Sequence, residues 1–189
     1  MPDLSASNVA VLDRSLFKAS ERRPIFVVLG MHRSGTSLCA QILSLCGVDM
    51  TDQIAVARGN DDGHWERAEI VVFHDRILTH LKRNYFSELH DLPLPSGWWA
   101  DPAVRQIRLE IEEFLRVRMH PMEAFGFKDP RTVRLLPMWN QIFSNLNLDP
   151  KYLVCLRSPH QVARSLLARD GTSIEDGEYR WLVYNTNIF

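Results

Sequence analysis

The chain has 189 residues, 46% hydrophobic and 24% charged, and its 22 basic and 23 acidic side chains leave a formal net charge of −1. That length can bury a core of its own. A balance so near zero excludes a global field for nucleic acid or an anionic membrane surface, so any anion site must be assembled locally from converging arginines.

Residues 1–24 read as a loose lead-in, with a short helix near 9–17 and no chemical motif. Residues 25–29 (IFVVL) are an uninterrupted apolar run and predict a buried strand. A turn bounded by Gly30 and Gly35 follows. Residues 36–46 then predict a helix whose inward face is Leu38, Ile42, Leu45 and Cys46, with Gly47 at its C-cap. A strand, a Gly-containing turn and a helix N-terminus make an anion cradle, because unpaired N–H groups and the positive end of the helix dipole face the turn. Gly35 permits close approach, and Ser34, Thr36 and Ser37 add hydroxyls. A phosphate ester is the expected ligand. A Walker A loop would carry Lys just before its final Ser/Thr. This sequence has Thr36 there, and its cation lies three residues upstream at Arg33. The substitution argues against ATP or GTP hydrolysis.

Residues 58–63 (RGNDDG) form a turn cluster, after which His64-Trp65-Glu66 opens a helix with Ile70, Phe73, Ile77 and Leu81 on one face. Asp61, Asp62, His64 and Glu66 fit no zinc-ligand spacing, so no metal site is expected. Glu66 stands at a turn-to-helix junction one connection after the anion loop. Residues 82–101 are a long loop containing Trp98 and Trp99, either a lid or acceptor-site wall or an aromatic plug. Asp101-Pro102 caps a helix to about 118, with Val104, Ile107, Ile111 and Leu115 inward. Residues 124–127 are a short buried strand that delivers Lys128-Asp129-Pro130-Arg131 to its C-terminal edge, where open parallel sheets bind ligands. A helix broken near Pro137 runs on to about 146. Residues 152–156 (YLVCL) form the third buried strand, which ends at Arg157. Ser158, Pro159 and Gln161 there suit an N-cap, a first helical residue and a capping box. Ser165 falls about two turns into that helix, and a last helix starts after Ser173. The three cysteines, Cys39, Cys46 and Cys155, include no C-x-x-C pair and read as buried thiols of a reducing compartment. No apolar run reaches the ~20 residues of a membrane span, and residues 1–24 lack the apolar segment of a signal peptide. The expected location is cytoplasmic.

Three of these motifs carry a resemblance. Arg33-Ser34-Gly35-Thr36-Ser37 resembles the phosphosulfate-binding loop of the sulfotransferase family, whose donor is 3'-phosphoadenosine-5'-phosphosulfate. Arg157 and Ser165 resemble the family's second element, R-x-P-x-x-x-x-x-S, which grips the 3'-phosphate of that nucleotide. The element Lys128-Asp129-Pro130 is similar to one that several branches place in the active site.

The resemblance implies an α/β, three-layer P-loop-like fold with a mostly parallel sheet over residues 25–189. The family usually continues past the last helix, so the C-terminal part of the domain is expected to be absent or supplied by a partner. It also implies an enzyme that moves a sulfuryl group to an acceptor hydroxyl or amine, a small molecule or a glycan, and releases adenosine 3',5'-bisphosphate. Arg33, Ser34, Gly35, Thr36, Ser37, Arg157 and Ser165 would hold the nucleotide. Arg33 and Lys128 would stabilise the leaving phosphate. Glu66 corresponds in position to the glutamate base of the glycan and tyrosine sulfotransferases, and His64 is the second choice. No metal, nucleic acid or membrane partner is expected. Two other classes fit the loop: a nucleotide kinase or NTPase with Asp129 on magnesium, and a non-catalytic nucleotide-binding module.

Overall fold

The structure, a computed structural model, describes residues 22–50, 63–84, 87, 90, 92–119 and 124–188. The lead-in up to residue 21 and the turn cluster before Gly63 lie outside the described residues. The elements in chain order are β1 (Arg23–Leu29), α1 (Thr36–Leu45), β2 (Val48–Asp49), α2 (Ala68–His80), α3 (Pro102–Arg118), β3 (Ala124–Lys128), α4 (Leu136–Asn145), β4 (Leu148–Val154), α5 (Pro159–Asp170) and α6 (Ile174–Asn185). Short 3-10 turns precede α3 (Trp98–Ala100) and α4 (Pro130–Leu135).

The four strands form an all-parallel sheet in the order β2-β3-β1-β4. Helices cover both faces, which is why β1 and β3 read as continuous apolar runs rather than alternating ones. Ile25, Val27, Leu29, Phe125 and Phe127 face a large core built with α2, α3 and α4. Phe26 and Val28 face a smaller cluster with Ala40 and Leu43 of α1, Val48 and Met50. Because the strands run parallel, the loops after β1, β3 and β4 all open at the same edge of the sheet.

Four expectations change. The third strand spans 148–154 rather than 152–156, and it is a half-exposed sheet edge rather than a buried strand: Tyr152 and Val154 are about 40% exposed. Its outer side has no further strand among the described residues, so the ladder covers only one flank. The two-residue β2 makes a fourth strand where no period was legible. The expected inner face of α1 is turned outward: Leu38, Ile42 and Leu45 are 61%, 51% and 75% exposed, while Thr36, Ala40 and Leu43 are buried. Small residues at 36 and 40 let the helix sit close on the sheet, and that contact outweighs the apolar periodicity. The helix after Glu66 opens only at Ala68, because Trp65 adopts a left-handed φ of 56° and Arg67 is extended.

Other elements follow expectation. α3 buries Val104, Ile107, Ile111 and Leu115, and the Asp101 carboxylate accepts from the N–H groups of Ala103 and Val104. Ser173 caps α6 through the Asp176 N–H. The expected break near Pro137 is the step from the 3-10 turn to α4 at Leu136, and Pro137 itself sits in the first turn of α4, which needs no N–H from it. Trp98 is buried in the main core and Trp99 lies outside it, so this part of the loop is an aromatic plug. α5 and α6 meet at Gly177, where a Cβ would stand 2.8 Å from Ala163. Any side chain there would push α6 away from α5. Among the described residues, no helix is long and apolar enough to cross a membrane.

Candidate functional site

The loops after β1, β3 and β4 enclose a cavity of about 250 Å³. The first loop owes its path to two backbone features. Gly30 has a φ of 144°, and a Cβ there would lie 2.6 Å from the Cys155 carbonyl oxygen, so β1 can turn under β4 only at glycine. Arg33 takes a left-handed φ of 66°, a conformation sparsely populated by side-chain-bearing residues and concentrated at functional sites. Gly35 is the N-cap of α1 and offers no capping side chain. Gly35, Thr36 and Ser37 line the cavity, which therefore faces the start of α1 and its orphan N–H groups.

The second wall comes from β4 and α5. Arg157 Nη1 donates to the Arg33 carbonyl at 3.1 Å, and Arg33 Nε donates to Ser165 Oγ at 2.9 Å. Two segments more than 120 residues apart are thus tied directly to one another. Ser158 occupies the N-cap of α5, but its side chain makes no cap bond; Gln161 accepts instead from Arg157 Nε at 3.2 Å. That replaces the expected capping box. Trp181 of α6 donates its indole N–H to the Arg157 carbonyl at 2.9 Å, so the strand tip is held from both helices.

The floor is Lys128, only 2% exposed at the end of β3. Its ammonium donates to Glu66 Oε1 at 2.8 Å and to Ser37 Oγ at 3.3 Å. Ser37 Oγ in turn donates to the His64 carbonyl at 3.3 Å. Burial, and then the nearby Asp129, push the Glu66 carboxyl above its ordinary range, although Lys128 pulls the other way. His64 is lowered by burial and by the charges of Lys128, Arg169 and Arg33. His32, packed edge-on against Tyr184, is lowered to about 3, chiefly by burial. The basic side chains therefore meet imidazoles that are uncharged near neutral pH.

The structure brings Arg33, Gly35, Thr36, Ser37, His64, Glu66, Lys128 and Arg157 to the cavity wall. Ser34 and Ser165 are not in that wall. Ser34 is buried beneath the loop with its hydroxyl unpaired among the described residues, and Ser165 lies behind Arg33. Two contributors escaped the sequence reading. Arg67, 2% exposed, donates to the carbonyls of Asp49 (2.6 Å) and Gly126 (3.0 Å), stacks 4.1 Å over Phe125, and so fastens the segment bearing Glu66 to β2 and β3. Arg169 lines the cavity from the last turn of α5. Its four-residue spacing after Ser165 was the available signal.

Behind the floor, Asp129 is buried in a network. His74 Nε2 accepts from the Trp139 indole at 3.0 Å, and His74 Nδ1 donates to Asp129 Oδ2 at 2.9 Å. Asp129 also accepts from the Arg131 backbone N–H and guanidinium, and Arg131 pairs outward with Asp75. No group of three His, Cys, Asp or Glu among the described residues is arranged to hold a metal ion.

In comparisons with known proteins, no family model matches the chain and no curated protein matches it significantly.

Proposed function

We propose that the chain is a sulfotransferase of P-loop-like fold that uses 3'-phosphoadenosine-5'-phosphosulfate as donor. The observation that carries this reading is the direct junction of the two anion-binding segments, Arg157 to the Arg33 carbonyl and Arg33 to Ser165, beside the open start of α1. One guanidinium for each end of a doubly phosphorylated nucleotide is what such a donor requires. A Walker-type site would instead need a Lys at position 36 and a magnesium-binding carboxylate. Asp129, the candidate for that carboxylate, is already saturated by His74 and Arg131.

In this reading the donor supplies a sulfuryl group on a phosphate leaving group, and transfer parallels the loose in-line displacement of phosphoryl chemistry. Arg33, the first N–H groups of α1 and Lys128 stabilise charge developing on the leaving phosphate. Glu66 accepts the acceptor's proton; its raised pKa brings it closer to the proton it must hold. Lys128 is shared between these tasks, since it leaves Glu66 as it turns toward the phosphate.

Adenosine 3',5'-bisphosphate without magnesium should raise the melting temperature, by an amount that grows with log concentration. ATP with magnesium should do much less. Equal stabilisation by the two, or a magnesium requirement, would remove the donor assignment. Arg157→Ala should weaken the bisphosphate by ~1.5–3 kcal/mol, the worth of a charge-assisted hydrogen bond. Adenosine 5'-phosphate should be almost unaffected. Calorimetry with both nucleotides checks this, and an equal loss for both would detach Arg157 from the 3'-phosphate.

A further inference from the structure

The donor reading leaves one cation of the cavity without a task. Gln161, Ser165 and Arg169 recur every four residues of α5, so they form one stripe, each ~6 Å further along the axis. The contacts follow that order. Gln161 accepts from Arg157, Ser165 accepts from Arg33, and Arg169 ends the row as a residue of the cavity wall. The donor occupies the first two stations, Arg157 at its 3' end and Arg33 at its 5' end. Arg169 is the third, one turn beyond Ser165 on the side away from Arg157.

In the donor reading that side is left to the acceptor, because Arg169 lines the same cavity as Glu66 and His64. Arg169 is near enough to His64 to help lower its pKa, after burial and Lys128, and His64 stands two residues before Glu66. The guanidinium is also held in place. Arg169 Nη2 and Nε donate to Asp170 Oδ2 at 2.6 and 3.1 Å, and Asp170 is fixed further by the Thr172 hydroxyl at 2.7 Å. Burial opposes the Asp170 charge, yet the bonds from Arg169 and Thr172 bring its pKa down to about 2, so the brace stays ionised. A guanidinium has five N–H donors in a planar fork, and this brace uses only one edge of it.

Resting on the sulfuryl-transfer reading, we infer that Arg169 anchors an oxyanion carried by the acceptor, so that the enzyme takes carboxylated or sulfated acceptors, such as acidic sugars, in preference to neutral ones. The oxyanion sits on Arg169 while the hydroxyl to be modified points at Glu66.

The test uses the whole chain saturated with adenosine 3',5'-bisphosphate, so that Arg157 and Arg33 are occupied. Methyl β-glucoside, methyl β-glucuronide and the sulfate ester of the glucoside's primary hydroxyl are then titrated by calorimetry. The two anionic sugars should bind at least about tenfold more tightly than the neutral one, the scale of one charge-assisted contact. Which of them binds better tells carboxylate from sulfate ester. Arg169→Ala should abolish the preference and leave the affinity for the bisphosphate within about twofold. Equal affinity for all three sugars, including none, overturns the inference while the donor reading stands. An Arg169→Ala variant that loses the bisphosphate as severely as Arg157→Ala also overturns it, because Arg169 would then belong to the nucleotide. If the wild-type chain fails to bind the bisphosphate at all, the donor reading falls and takes this inference with it.

Discussion

Glu66→Gln should lower the rate of sulfuryl transfer by ~10²–10⁴, the usual contribution of a general base, while donor binding persists. The substitution keeps size and hydrogen-bonding reach and removes only the proton acceptor. It also frees Lys128, whose ammonium is 2.8 Å from Glu66, from its countercharge. The bisphosphate should therefore bind as well or better, a split between binding and turnover that a misfolded variant could not produce. The competing account is that Glu66 serves only as counter-ion to a buried lysine. Under that account Glu66→Gln lowers the melting temperature, since breaking a buried pair is costly, and leaves the rate intact. Release of the bisphosphate from the phosphosulfate, followed with an acidic glycan as acceptor, decides between them. A normal rate beside a lowered melting temperature would move the base to His64. The wild-type rate should also rise with pH as Glu66 ionises, in a window above the ordinary glutamate value of 4.5 because burial raises its pKa.

The parts of this site that were legible in the sequence are those where local chemistry and position along a strand coincide. Gly30, Gly35 and the run 25–29 could make little other than a strand, a tight turn and a helix start. Asp101-Pro102 and Ser173 could do little other than cap. Position in the sheet was not legible, because an apolar run reads alike at a centre and at an edge. The apolar run of β4 therefore reads as buried, although Tyr152 and Val154 stand half open at the rim. The orientation of α1 failed for a related reason. Periodicity marks two faces but does not say which one the sheet accepts, and the close fit of Thr36 and Ala40 decides it. A lone arginine such as Arg67 carries no motif, and the spacing of Arg169 after Ser165 gains meaning only once the cavity shows which face of α5 is turned inward. The role of Arg67 arises from what the fold stacks beside it, the Phe125 ring.

Asp129→Ala should destabilise the chain by ~3–5 kcal/mol, because removing one partner of a buried charge network leaves the others unpaired. Asp129 is 1% exposed and is the shared acceptor for His74 and Arg131. Without it, His74 loses the acceptor for its Nδ1 while Trp139 still occupies its Nε2. Arg131 keeps Asp75, which lies nearer solvent, so the loss should fall toward the lower end of that range. For a chain of this length each kcal/mol shifts the melting temperature by ~2–4 °C, so a drop of roughly 6–12 °C follows. The dependence on pH gives a second check. Burial disfavours the charge on Asp129, but Arg131 and His74 outweigh it and hold the carboxyl well below the ordinary value of 3.8. A depressed carboxyl adds stability above its unfolded value and loses that stability as acid titrates it in the native state. Wild-type stability should therefore decline steeply as pH falls below about 3.8, and Asp129→Asn, which cannot ionise, should show a shallower decline. Urea unfolding across that range measures both. A melting temperature unchanged in Asp129→Ala would mean that the His74–Asp129–Arg131 network adds nothing to the fold, and that Lys128 is held in place by its bonds to Glu66 and Ser37 alone.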